Sequence, residues 1–195
     1  MVLTYEYKFP TSPEAGCTVE YHVDGSGKIR VIMDYVPVEG LSVMPEFGLM
    51  MRLPADFDKV TYYGLGPEEN YCDRNKGAKL GLHKTTAKDN MTPYLLPQEC
   101  GNRTGVRYAK VTDYRGTGVQ FAGENLELSV LPYTPQEMES ALHHTELPES
   151  NATVVRIMLA QTGIAGDDSW GARPHDEYFI DVTKPVHFEF VMAGC

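Results

Sequence analysis

The spacing of turn residues constrains this chain more than any other feature. Gly and Pro, 18 and 13 copies in 195 residues, are spread from end to end, and the runs between them are short and rich in β-branched and aromatic residues. Such runs suit strands of a few residues, and turns recurring this often leave no room for long helices. The chain therefore reads as all-β and antiparallel, one domain over residues 1–195. Strands are expected over Val2–Phe9, Cys17–Val23, Lys28–Val36, Phe47–Leu53 and Asp58–Tyr63, the last stopping at Gly64. Asp24-Gly25-Ser26-Gly27 is a hairpin signal between the second and third. Further strands are expected over Val106–Asp113, Val119–Ala122, Leu126–Leu131, residues 153–159, Tyr178–Val182 and Val186–Met192.

One short helix interrupts this pattern. Thr134 can cap it, Pro135 suits its first position and Glu137 completes a capping box, with an end expected near His144. The stretch from Lys76 to Met91 is polar and carries no clear signal. Pro93 to Gly105 reads as a long irregular connection, of a kind that is usually functional or pinned by packing. The Gly64-Leu65-Gly66 triplet runs into Pro67 rather than into a helix, so it marks a turn and not a dinucleotide loop.

The formal net charge is −10. An acidic surface repels phosphate backbones and anionic lipid, which argues against nucleic acid and membrane as partners. No run of 18 apolar residues is present, so no membrane-spanning helix is expected. Met1 to Pro10 carries Glu6 and Lys8 among aromatics and is unlike a signal peptide; the compartment stays open. Cys17, Cys72, Cys100 and Cys195 show no C-x-x-C spacing, so a zinc site has no support, and their scatter fits free thiols. His143 and His144 are adjacent, whereas a helical metal pair needs i,i+4 spacing. No metal ligation is expected.

The only tryptophan lies in Gly163-Ile164-Ala165-Gly166-Asp167-Asp168-Ser169-Trp170-Gly171. Glycine tolerates positive φ, and Asp and Ser bond to nearby backbone, so this is a shaped loop, with Asp167, Asp168 and Ser169 as its shapers. It sits between the expected strands at 153–159 and 178–182. Trp170 is then a flat ring at a loop tip. It could offer a platform for the apolar face of a sugar, or it could be a hydrophobic plug.

Three stretches together resemble the large β-galactosidases of glycoside hydrolase family 2. Tyr63-Gly64-Leu65-Gly66-Pro67-Glu68-Glu69-Asn70-Tyr71 with Asp73-Arg74 is the first. Thr92-Pro93-Tyr94 followed by Pro97-Gln98-Glu99-Cys100-Gly101 is the second, with Cys100 where many members place Asn. Gly166-Asp167-Asp168-Ser169-Trp170 is the third. Their order and spacing are similar to the C-terminal, small-chain domain of those enzymes, from about Tyr21 onward. The resemblance implies an antiparallel supersandwich of the galactose-mutarotase-like group, part of a larger β-galactosidase chain and shortened at its N-terminal side. A missing strand would leave an open sheet edge, and with it a tendency to homo-oligomerise.

The resemblance also implies a division of labour. Retaining glycosidases need two carboxyl groups about 5–5.5 Å apart. In the family both are glutamates of a (β/α)₈ barrel, which typically takes about 250 residues. Glu68-Glu69 and Asp167-Asp168 are adjacent pairs, and neighbours in extended chain point to opposite sides. No catalytic residue is therefore expected here, and no cofactor; the Mg and Na ions that family enzymes use are held mostly elsewhere. The implied partners are the catalytic barrel and a galactoside. The implied role of Trp170 is to stack on the aglycone sugar, the glucose of lactose. Asp73 and Arg74 are expected to form a structural ion pair. A free-standing carbohydrate-binding module and a purely structural or oligomerisation domain remain the alternatives.

Overall fold

The computed structural model describes all residues from Met1 to Cys195. Ten strands follow in order: β1 (Val2–Phe9), β2 (Ala15–Val23), β3 (Ile29–Tyr35), β4 (Glu46–Pro54), β5 (Lys59–Gly66), β6 (Lys79–Thr86), β7 (Asn102–Thr112), β8 (Gly118–Leu131), β9 (Ala152–Gln161) and β10 (Val186–Gly194). One α-helix, α1 (Pro135–Glu139), lies between β8 and β9. Every strand pairing is antiparallel. Along the sheet the order is β1-β2-β3-β10-β8-β7-β5-β6, with β9 also on β8 and β4 beyond β9.

The 14-residue β8 joins the two halves. Its first part, Val119–Ala122, pairs with β10, and its second part, Glu127–Leu131, pairs with β9. Between them Asn125 takes φ 57°, the only positive φ outside glycine, in a conformation Asn tolerates better than most residues. On β7 the register against β8 shifts twice between Arg103 and Tyr108, and such bulges bend strands. The sheet thus folds over, and both halves feed one cluster of 22 buried residues. The two strands expected at 119–122 and 126–131 are one bent strand. The polar Glu124-Asn125 interruption between them is its exposed corner, not a loop.

Alternation carries the inner face. Val31, Met33 and Tyr35 of β3 and Phe188 and Phe190 of β10 are buried, while Asp34, His187 and Glu189 face solvent. On that outer face Arg30 pairs with Glu189 and Asp34 with His187. β9 departs from alternation because both its faces are covered: Ala152 to Met158 are all buried. A second small cluster of Cys100, Leu131 and Met138 brings the 93–101 connection against α1. Cys100 behaves there as a small hydrophobe. The capping box forms as expected: Thr134 Oγ1 accepts from Glu137 N at 3.1 Å, and Glu137 Oε2 accepts from Thr134 N at 2.7 Å.

Four expectations are corrected. The uninformative stretch 76–91 contains β6, an edge strand that pairs only with β5; it buries no residue, and its alternating Leu80 and Leu82 face water among polar neighbours. The connection expected to reach Gly105 ends at Gly101, and β7 begins at Asn102. The helix stops at Glu139, well short of His144, and a 3-10 turn occupies His144–Glu146. Tyr178–Val182 is not a strand. A 3-10 turn, Asp176–Tyr178, overlaps its start, and Tyr178 O accepts from Gly163 N while Ile180 N donates to Thr162 Oγ1, single bonds rather than a ladder. Its apolar residues Ile180 and Val182 still pack on the core, which is why the segment looks like a strand in sequence.

β1 pairs on one side only, and Leu3, Tyr5 and Tyr7 are exposed there. All four cysteines are free, and no helix is long and apolar enough to cross a membrane. The core makes a direct prediction. Ile157 is fully buried in the large cluster, so Ile157→Ala should cost about 2–5 kcal/mol. Urea unfolding followed by circular dichroism should show a lower midpoint with an unchanged slope.

Candidate functional site: the Trp170 loop and its support

The segment between β9 and β10 carries Trp170 at 91 % exposure. Within this chain the ring plugs nothing. Asp168 Oδ1 accepts from Trp170 N at 2.8 Å and from Ala172 N at 3.3 Å, folding the backbone around the ring. Asp167 meets His175 Nε2 at 3.0 Å, a hydrogen bond that raises the His175 pKa. Gly166 passes so close to the Ala172 carbonyl that a Cβ there would collide with it. Ser169 is exposed, and its side chain makes no hydrogen bond within the chain. Further along, Arg173 stacks over Phe179 at 5.0 Å.

The base of the loop is held by the first motif. Asp73 Oδ2 accepts from Ala165 N at 2.8 Å, and Cys72 Sγ contacts Gln161 O at 3.4 Å. Gly163 N donates to Tyr178 O at 2.8 Å, closing the loop across its neck. A Cβ on Gly163 would stand 2.7 Å from Asp73 Oδ2, so glycine is what lets the carboxylate in. The expected ion pair between Asp73 and Arg74 is absent. Arg74 turns the other way, donating to Glu69 Oε1 at 2.7 Å and lying over the Tyr71 ring at 5.3 Å.

Glu69 then ties the first motif to the second. Its carboxylate accepts from Thr92 Oγ1 at 2.8 Å, Tyr94 OH at 2.7 Å and Gly101 N at 2.8 Å. Burial opposes the charge, but these donors and Arg74 outweigh it and hold the carboxyl below its usual range. Next to this network Arg156 is buried on β9, its side chain 3 % exposed. It donates to Glu46 at 2.6 Å, to both oxygens of Glu99 at 2.8 and 2.9 Å, and to Ser129 at 3.1 Å. Glu99 also accepts from Tyr71 OH at 3.2 Å. The three motifs, far apart in sequence, thus form one body.

Neither adjacent acidic pair converges on a common point. Glu68 is exposed while Glu69 is drawn inward, and Asp167 and Asp168 serve His175 and the backbone separately. No group of three His, Cys, Asp or Glu side chains is arranged to hold a metal ion. One acid was not foreseen from sequence. Glu127 is 7 % exposed, accepts from Asn102 Nδ2 at 2.8 Å and has no cation beside it. Burial pushes its pKa up from 4.5 to about 7, and the charges of Glu46 and Glu99 add to this. Nothing marks it beforehand, because Glu127 reads as an outward position of a half-exposed strand. The second motif and the loop base cover that face.

Two predictions follow from these contacts. Glu127 keeps its proton in the fold at a pH where the unfolded chain has released it. Stability is therefore full below about pH 4.5, falls as pH rises, and levels off above about 7. The loss is on the order of 2–4 kcal/mol, and Glu127→Gln should flatten that part of the stability–pH curve measured by urea titration. For the loop, Asp73→Ala should raise hydrogen exchange at the Ala165 amide by about tenfold with little change in global stability. Unchanged exchange would show that Asp73 does not hold the loop.

Comparison with known proteins agrees with the resemblance and extends it toward the N-terminus. The family described as beta galactosidase small chain matches residues 1–192. A beta-galactosidase from Priestia megaterium is 44 % identical over 179 residues, covering 91 % of this chain and 17 % of that protein. One from Halalkalibacterium halodurans is 41 % identical over 191 residues, 95 % of this chain and 19 % of that protein. The beta-galactosidase small subunit of Latilactobacillus sakei is 37 % identical over 207 residues, 99 % of this chain and 64 % of that protein. The chain spans less than a fifth of the first two relatives. Among solved structures, a galactose mutarotase related enzyme from Lactobacillus acidophilus superposes with a TM-score of 0.46 at 10 % identity, over all of this chain and 68 % of that one. By sequence, the chain belongs to the beta-galactosidase small chain family.

Proposed function

We propose that this chain completes the aglycone subsite of a β-galactosidase whose acid and nucleophile are carried on a catalytic barrel outside residues 1–195. Trp170 stacks on the sugar that leaves, and the body formed by the three motifs holds the ring in position. The observation that carries this reading is the Trp170 ring, 91 % exposed on a loop whose neck is closed by hydrogen bonds. A bare indole face is well matched to the C–H face of a pyranose, and a pre-shaped loop reduces the ordering cost of binding. The carboxylates around it are engaged with their own backbone, with His175 or with Arg74, which suits support rather than bond cleavage. Asp167 and Asp168 shape the loop in this scheme.

In the assembled enzyme, Trp170→Ala should weaken glucose as an acceptor by about five- to tenfold, the effect of roughly 1 kcal/mol from one stacked ring. Inhibition by a galactose analogue should stay nearly unchanged. Equal loss at both subsites would overturn the reading. The exposed ring would also serve a free-standing carbohydrate-binding module, and the isolated chain separates the two. Titration of Trp170 fluorescence with lactose should show no saturation below millimolar concentrations; a micromolar constant would favour the module.

A further inference from the structure

Beside the base of the Trp170 loop lies a cavity of about 390 Å³ lined by Glu46, Glu99, Arg156 and Gln161, with Gly163 and Ile164 completing its wall. Arg156 supplies its one cation, and that guanidinium is already engaged by Glu46, Glu99 and Ser129. Two carboxylates share one positive charge, so the cavity is net negative. Glu46 accepts through Oε2, which leaves Oε1 free for another donor. Gln161 is only 7 % exposed, yet its Oε1 has no hydrogen-bond partner. An amide oxygen buried without a donor is destabilising. The cavity therefore offers Glu46 Oε1 and an excess of negative charge, and its uncharged side-chain N–H groups are the amides of Gln136 and Gln161.

Arginine matches that excess of carboxylate most closely. Its guanidinium is planar, carries five N–H donors and always bears a positive charge. A chain of net charge −10 also favours a partner that brings positive charge to the contact. We propose that this cavity receives the guanidinium of an arginine presented by the catalytic chain, fixing the small chain against it next to Trp170. The proposal rests on the functional reading above for the identity of the partner. Its chemistry is a property of this chain alone and can be tested there.

The test titrates the folded chain with methylguanidinium and, at equal ionic strength, with tetramethylammonium, a cation with no N–H. Amide resonances are followed by NMR. Methylguanidinium should give saturable, millimolar shifts confined to Arg156 and the 161–164 segment. Tetramethylammonium should bind at least about tenfold more weakly, because it cannot form charge-assisted hydrogen bonds. Glu46→Gln should weaken methylguanidinium by about tenfold, and Trp170→Ala should leave it unchanged. Absence of localised shifts, an equal response to both cations, or loss with Trp170→Ala instead of Glu46→Gln would overturn the proposal. The comparison of the two cations needs no variant, so it decides even where a substitution unfolds the chain. A null result here leaves the aglycone test of Trp170 intact, and failure of that test leaves this one standing.

Discussion

Two carboxylates on one irregular segment, Glu69 and Asp73, hold the loop-bearing end of the molecule together. Glu69 collects donors from Thr92, Tyr94 and Gly101, and Asp73 takes the Ala165 amide. The segments they join are otherwise irregular, and irregular backbone has few ladder bonds of its own to stiffen it. A charged acceptor that gathers several donors supplies that stiffness, since its bonds are stronger than neutral ones and share a single centre. The long connection at 93–101 and the Trp170 loop are thus ordered from below, by side chains of the 64–74 segment.

Arg156 repeats this logic at greater depth. A guanidinium 3 % exposed would be untenable alone, and its three acidic and hydroxyl partners come from β4, β8 and the 93–101 connection. Removing any one partner would leave a buried N–H of the guanidinium without its acceptor, so the arrangement admits few alternatives. Burial on this face, unlike the apolar interior of the fold, is polar and specific. It fixes how the connection sits on β9, where the large apolar cluster fixes only that the two halves of the sheet meet.

The strands were legible wherever one face meets water. β3, β4 and β10 follow their alternation to within a residue or two, β1 is found at its expected bounds although both its faces are exposed, and the Thr134–Glu137 capping box is present with both of its bonds. Legibility failed where tertiary contacts replace periodicity. β6 turns its two leucines to water and buries no residue, and Tyr178–Val182 alternates without a strand partner, whereas β9, covered on both faces, is found within two residues of its expected bounds. At the site, loop and motifs could be read, but their connections could not. Arg74 choosing Glu69 over Asp73, and Glu127 turning inward without a cation, depend on which distant segments arrive beside them. Whether Trp170 faced inward or outward was equally undecidable from its neighbours, since a flat ring among glycines suits either fate.

The isolation of the single indole has a spectroscopic consequence. In many folded proteins tryptophan emission reports the collapse of the interior, because the ring passes from water to an apolar setting. Here the ring is already almost fully hydrated in the native state. Denaturation of this chain should leave the colour of its red-edge-excited emission nearly still, while contact with any second surface should shift it to the blue. Nature has placed the fluorophore where it is silent about cohesion and attentive to company.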